Sequence, residues 1–75
     1  MRHLSVLILI WVLLSCAESK TTKRDRFFFQ GNEAIADRAW EKAIHYFDNA
    51  IRLDPEYALA YNNRGVVKVN QGRAA

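Results

Sequence analysis

Apolar positions follow two different rules along this chain. From Leu4 to Leu14 the run is broken only by Ser5, whereas from Phe27 onward apolar side chains recur at helical intervals. Trp40, Ala43, Ile44, Phe47, Ala50 and Ile51 lie 3, 1, 3, 3 and 1 residues apart, and Glu41, Lys42, His45, Asp48, Asn49 and Arg52 fill the other side. That spacing predicts one amphipathic helix of about three to four turns. It should stop near Leu53, because Asp54 can cap a new helix whose first position is Pro55, where the missing N–H costs nothing. Glu56 then falls in the first turn, where the helix dipole favours a carboxylate. This helix is expected from Pro55 to about Asn70, with Gly72 as the left-handed residue that ends it. A first helix from about Asp25 to Ala36 completes an all-α set of three, and turns this short imply antiparallel neighbours.

The first apolar run is too short to cross a bilayer. Eleven helical residues span roughly 16 Å, while a membrane core needs about 20 residues. Arg2 before the run and the small residues Ser15, Cys16 and Ala17 after it have the layout of an export signal over residues 1–15. Its end, Leu13-Leu14-Ser15-Cys16, resembles the lipobox of bacterial lipoproteins, in which an aliphatic residue stands three before an acylated cysteine and a small residue just before it. The resemblance implies lipid attachment at Cys16, removal of the leader before it and acylation of the new amino terminus, with palmitate-type chains as the anchor. Each buried methylene contributes about 0.8 kcal/mol, so several chains hold a protein firmly on a membrane. Cleavage after Ala17 is the alternative; it discards Cys16 and leaves a secreted or soluble periplasmic product. Residues 17–26 contain no large apolar side chain, which predicts a flexible tether over 16–26 whose Lys20, Lys23, Arg24 and Arg26 are diluted by Glu18 and Asp25.

Composition narrows the chemistry. Eleven Lys and Arg against eight Asp and Glu give a net charge of +3, too small and too dispersed to imply a nucleic-acid partner. One cysteine cannot form an internal bridge, and with two histidines it cannot close a zinc site. No cofactor or metal is expected. His45 lies on a polar helix face without a second ligand, Ser15 and Ser19 lack a base, and Gly31 and Gly65 sit inside helices rather than in a phosphate-binding loop. The chain is therefore read as a non-enzyme.

An internal repeat supplies a function instead. Gly31 and Gly65 are 34 residues apart, and Phe27 matches Tyr61 at the same offset. With Ala43, Phe47, Ala50 and Pro55 at their respective intervals, the first copy resembles the tetratricopeptide (TPR) repeat, a 34-residue helix-turn-helix unit. The second copy adds Tyr61, Gly65 and the Gln71-Gly72 turn. Departures are Gln30 and Arg64 for a commoner leucine, Ala34 and Lys68 for a tyrosine, and Arg38-Ala39 for a Gly-Asp turn. The resemblance implies a TPR solenoid region over 27–75, with repeat 1 at about 24–57 and a partial repeat 2 at about 58–75. A glycine inside a helix costs roughly 0.5 to 1 kcal/mol relative to alanine. Both are therefore expected at close helix contacts, with Gly31 facing Ala43 and Ala50 and Phe47 filling the space beside them. About one and a half repeats is fewer than such stacks usually need, so the chain is expected to be truncated or to require a partner.

In this family the concave face holds a segment of another protein. The resemblance places Asp25, Phe28, Asn32, Ile35 and Ala36 there, followed by Leu59, Asn62, Val66, Val69 and Asn70 in the second copy. Asn32 and Asn63 also match two positions of the family's carboxylate clamp, although Phe28 stands where the clamp has lysine. The candidate groove is thus Phe28, Asn32, Ile35, Asn62, Asn63, Val66 and Val69, suited to an apolar or extended peptide. The expected role is a lipid-anchored scaffold or assembly factor of the bacterial envelope, binding other envelope proteins. Ala17, standing where an aspartate would resemble an inner-membrane retention signal, favours the outer membrane facing the periplasm. The alternative is an adaptor arm of a larger exported enzyme.

Overall fold

A computed structural model describes residues 18–74, which form three helices in succession: α1, Lys20–Ala36; α2, Trp40–Leu53; and α3, Ala58–Ala74. The leader and Cys16 lie outside the described residues. Among the described residues no helix is long and apolar enough to cross a membrane. Helix α2 packs against α1 on one side and α3 on the other, while α1 and α3 barely meet.

Helix α1 begins earlier than its apolar pattern does. Ser19 is extended and caps the helix: its Oγ accepts the Thr22 N–H at 3.1 Å, and its carbonyl accepts the Lys23 N–H at 3.0 Å. The expected tether over 16–26 is therefore corrected from Lys20 onward, and so is the expected start at Asp25. Residues 20–26 have no apolar side chain to announce a helix, but they have a cap and a tertiary anchor. Arg24 reaches across to Asp54 at 2.8 Å, pairs with Asp25 at 2.9 Å, and lies over the Tyr57 ring at 4.2 Å. That cluster fastens the first turns of α1 to the loop that precedes α3.

The α1–α2 seam is set by size. A Cβ built on Gly31 would stand 2.5 to 2.8 Å from three atoms of the Phe47 ring, so only hydrogen leaves the ring room. Phe47, Ala43 and Ala50 are fully buried beside it, and Ala34 nearly so. Burying a phenylalanine contributes about 1.5 to 3 kcal/mol, which outweighs the roughly 0.5 to 1 kcal/mol lost by placing a glycine in a helix. Gly31 is thus at a close contact, as its position suggested, with the ring of Phe47 as its nearest neighbour. Gly65 departs from the expectation: it is exposed and nothing lies within 4 Å of a Cβ placed there.

The first turn closes on a left-handed residue that is not glycine. The Ala39 N–H bonds back to the Ala34 carbonyl and the Arg38 N–H to that of Ile35, both at 2.9 Å, and Arg38 has φ 57°. This is a Schellman ending, which favours glycine at the position Arg38 holds. The second turn also differs from expectation. Asp54 Oδ1 accepts the Glu56 N–H at 3.1 Å and the Asp54 carbonyl accepts the Tyr57 N–H at 3.1 Å, so Pro55 and Glu56 form a turn and α3 starts at Ala58. Gly72 lies inside α3 without a positive φ, because the helix continues through it to Ala74.

Two predictions follow from these contacts. Arg38→Gly should raise stability by about 1 kcal/mol by relieving the left-handed side chain, read as an upward shift of the thermal midpoint by circular dichroism. The second concerns acid. The Arg24 guanidinium first, and then the Glu56 N–H, hold the Asp54 carboxyl below its usual value of 3.8. A carboxylate depressed on folding contributes stability above its unfolded pKa and loses it as pH falls through the folded one. Stability should therefore fall below about pH 4, and Asp54→Asn should flatten part of that fall; an unchanged acid limb would disprove the role of the pair.

Candidate interaction surface

The residues predicted to line one groove are divided by the structure into three groups. Phe28 is part of the core. Its ring sits 5.8 Å from that of Phe47 and 5.4 Å from that of Tyr57, linking the seam to the loop before α3. Ile35 is likewise partly buried against the core cluster. Phe28, assigned by the resemblance to the groove, thus has its ring neighbours in the core.

Asn32 and Asn63 are brought together, but with each other. The Asn63 Nδ2 donates to the Asn32 Oδ1 at 2.8 Å across the α1–α3 contact, and Asn62 Nδ2 donates to Asn63 Oδ1 at 3.4 Å. The shared bond orients both side chains and joins the first helices of the two copies. The bond uses the Asn32 oxygen and one of the two Asn63 amide hydrogens.

Asn62, Val66 and Val69 form the third group, on the open side of α3. With Tyr61, Gly65, Asn70 and Arg73 they line a shallow groove of about 570 Å³. Val66 and Val69 are about half exposed. The opposite side of the same helix supplies Ala60 and Val67 to the core, both fully buried against α2. Tyr61 is fixed at the end of the groove by its hydroxyl, which donates to the Pro55 carbonyl at 2.9 Å, and by the Arg64 guanidinium 5.3 Å from its ring. Arg64 is in turn held by Asp48 of α2 at 2.8 Å.

Tyr61, Gly65 and Arg73 belong to this groove and were missed as ligand-facing residues. In the sequence Tyr61 and Gly65 show only as the repeat counterparts of Phe27 and Gly31, which in the first copy lie against α2. A smaller recess of about 170 Å³ between α1 and α2 is lined by Gln30, Glu33, Ala34, Asp37, Lys42 and Tyr46. Gln30 Oε1 is buried there without a hydrogen-bond partner. His45 is exposed and shares a hydrogen bond with Asn49, and no group of His, Cys, Asp and Glu among the described residues is arranged to hold a metal.

The division can be tested by paired truncations. Phe28→Ala should cost about 1 to 3 kcal/mol in chemical denaturation through loss of the Phe47 and Tyr57 contacts, whereas Val69→Ala on the open side should stay within about 0.5. Equal losses would contradict the assignment of the two residues to different environments.

Comparison with known proteins agrees with the helix pairing and the seam. A 41-residue stretch, 55% of this chain, is 42% identical to the protein named STIP1 homolog of Dictyostelium discoideum. The chain spans only about 7% of that relative's length. No solved structure matches significantly. The family model described as TPR repeat matches residues 31–72, more than half of the chain. Its matched region runs from the seam glycine through both turns to Gly72 in the last turns of α3, and the chain belongs to the TPR repeat family.

Proposed function

We propose that this chain is a lipid-anchored scaffold of a bacterial cell envelope, which holds a segment of another envelope protein through its TPR helices. The observation that carries the reading is the pairing of two features in one short chain. One is an export-type leader ending in Leu13-Leu14-Ser15-Cys16; the other is a TPR helix whose apolar and amide side chains face an open groove. TPR repeats act by binding proteins or peptides, so the activity is capture rather than catalysis. The anchor would keep the groove at the membrane, where a second tethered protein meets it at high effective concentration. Outer-membrane sorting, facing the periplasm, is the placement Ala17 supports.

The groove's chemistry selects the ligand class. Val66 and Val69 offer exposed apolar surface, and Asn62 and Asn70 offer amides that can meet a peptide backbone. Apolar anchors dominate the energetics of such contacts.

Two variants test the two halves of the reading. Cys16→Ser removes the only thiol available for acylation, and should leave the precursor unprocessed and shift it out of the detergent phase in phase partitioning. Normal processing to a soluble species would instead support cleavage after Ala17. Val66→Asp should weaken partner capture in cross-linking and pull-down while leaving helical circular dichroism intact, and unchanged capture would reject the groove.

A further inference from the structure

Helix α1 starts close to the proposed anchor. Ala17, Glu18 and Ser19 are all that separate Cys16 from Lys20, and four Cα-to-Cα steps reach no farther than about 14 Å. Glu18 shortens that reach, because its Oε1 accepts the Arg26 Nε and Nη2 at 3.2 and 3.0 Å and so ties the link to the Arg26 side of the helix. With acyl chains on Cys16, the start of α1 is therefore held within about two Debye lengths of the lipid surface, each about 8 Å at physiological salt.

The charges on those turns fall into two sets. Arg24 is paired with Asp25 and Asp54, and Arg26 with Glu18, so the carboxylates that diluted the basic segment have partners within the fold. Lys20 and Lys23 are exposed and make no ion pair among the described residues, although Lys20 rims a small recess with the already paired Asp54. They also follow the Ser19 cap closely, where the helix dipole disfavours cations. Their charge thus stabilises nothing in the described fold. Farther along, Glu33 and the capping residue Asp37 are exposed, so α1 is basic toward Cys16 and acidic away from it.

One aromatic completes the basic end. Phe29 is 63% exposed, whereas its neighbours Phe27 and Phe28 pack against the core. At about 100° per residue, Thr22, Lys23, Arg26 and Phe29 share an arc of about 120°. Glu33, one turn beyond Phe29 on the same side, marks where the patch ends. Cations beside an exposed aromatic on a helix are the composition of a surface that rests among lipid headgroups.

We infer that the outer face of α1 lies on an anionic phospholipid surface, with Lys20 and Lys23 among the phosphates and Phe29 at the headgroup boundary. This rests on the reading of Cys16 as a lipid anchor and adds the orientation in which the anchored domain is held. Each lysine near an anionic surface strengthens the contact about fivefold, which is little for a chain in solution but enough to orient one already tethered. Helix α3 runs in the direction of α1, because α2 is antiparallel to both, so Arg73 at its far end points away from the lipid.

The test uses the full chain, expressed with its leader and reconstituted after processing into vesicles of phosphatidylcholine or of equimolar phosphatidylcholine and phosphatidylglycerol. Acylation occupies the only native cysteine, so Phe29→Cys supplies a single thiol for an environment-sensitive dye, and Arg73→Cys supplies the control at the far end. Spin-labelled headgroup lipid should quench the dye at position 29 roughly threefold or more better in the mixed vesicles than in phosphatidylcholine, and the dye at position 73 equally in both. Adding Lys20→Glu and Lys23→Glu should remove that difference while the chain still floats with the vesicles. Carboxylates near the start of a helix favour it, so circular dichroism should show no loss of fold in this variant. Equal quenching at position 29 in the two vesicles, or a difference that survives the double charge reversal, overturns the placement. A change at position 29 produced by soluble poly-glutamate and not by phosphatidylglycerol assigns the face to an acidic protein segment and overturns it as well. A chain that does not float with phosphatidylcholine lacks the anchor, which removes the lipid-anchored reading and this placement with it. A floating chain whose position 29 stays in water removes the placement alone.

Discussion

The contact between Gly31 and the ring of Phe47 is the constraint on which the rest of the structure depends. Because the glycine has no Cβ, the two backbones approach until the ring lies on the helix itself. That approach brings Ala43, Ala50 and Ala34 inside with little side-chain volume to accommodate. Phe47 in turn supports Phe28, and Phe28 supports Tyr57, so the packing spreads from the seam to the loop that launches α3. A single fully buried ring thereby couples all three helices.

Polar contacts then fix the direction in which α3 leaves that core. Arg24 bonds Asp54 and stacks over Tyr57, Asp54 bonds the Glu56 N–H, and Tyr61 bonds the Pro55 carbonyl, so the loop is held from both sides. The Asn32–Asn63 bond registers α3 against α1. None of these groups is buried as an unpaired charge, and their combined effect is geometric: they set which side of α3 faces α2 and hence which side is left open. The surface proposed to bind a partner is in this sense a product of the loop before it.

The two copies show how one pattern yields two outcomes. Glycine follows an aromatic by one turn in both, yet in α1 it lies against the Phe47 ring and in α3 nothing among the described residues approaches it. A residue's place in a repeat specifies what shape it can receive, while its role as core or as surface depends on whether a helix is there to be received. Exposed Tyr61, Val66 and Val69 are consistent with this view, since each is an ordinary packing residue on a helix face that nothing in the described residues covers.

By itself, the sequence determined the all-α class, the amphipathic α2, the 34-residue period and the close contact at Gly31, because periodicity and small-residue placement are local and survive without coordinates. It also marked His45 as a surface residue and Trp40 as one packed on the core. Tertiary structure alone decided where α1 begins, since Lys20 to Arg26 show no apolar stripe and their helix relies on the Ser19 cap and on Asp54, 30 residues beyond Arg24. It decided that Phe28 serves the core, that Asn32 and Asn63 bond one another, and that Arg38 takes the left-handed place usually given to glycine. Each of these depends on a neighbour distant in sequence or on a backbone angle that many residue types can be forced to adopt, and neither leaves a periodic trace along the chain.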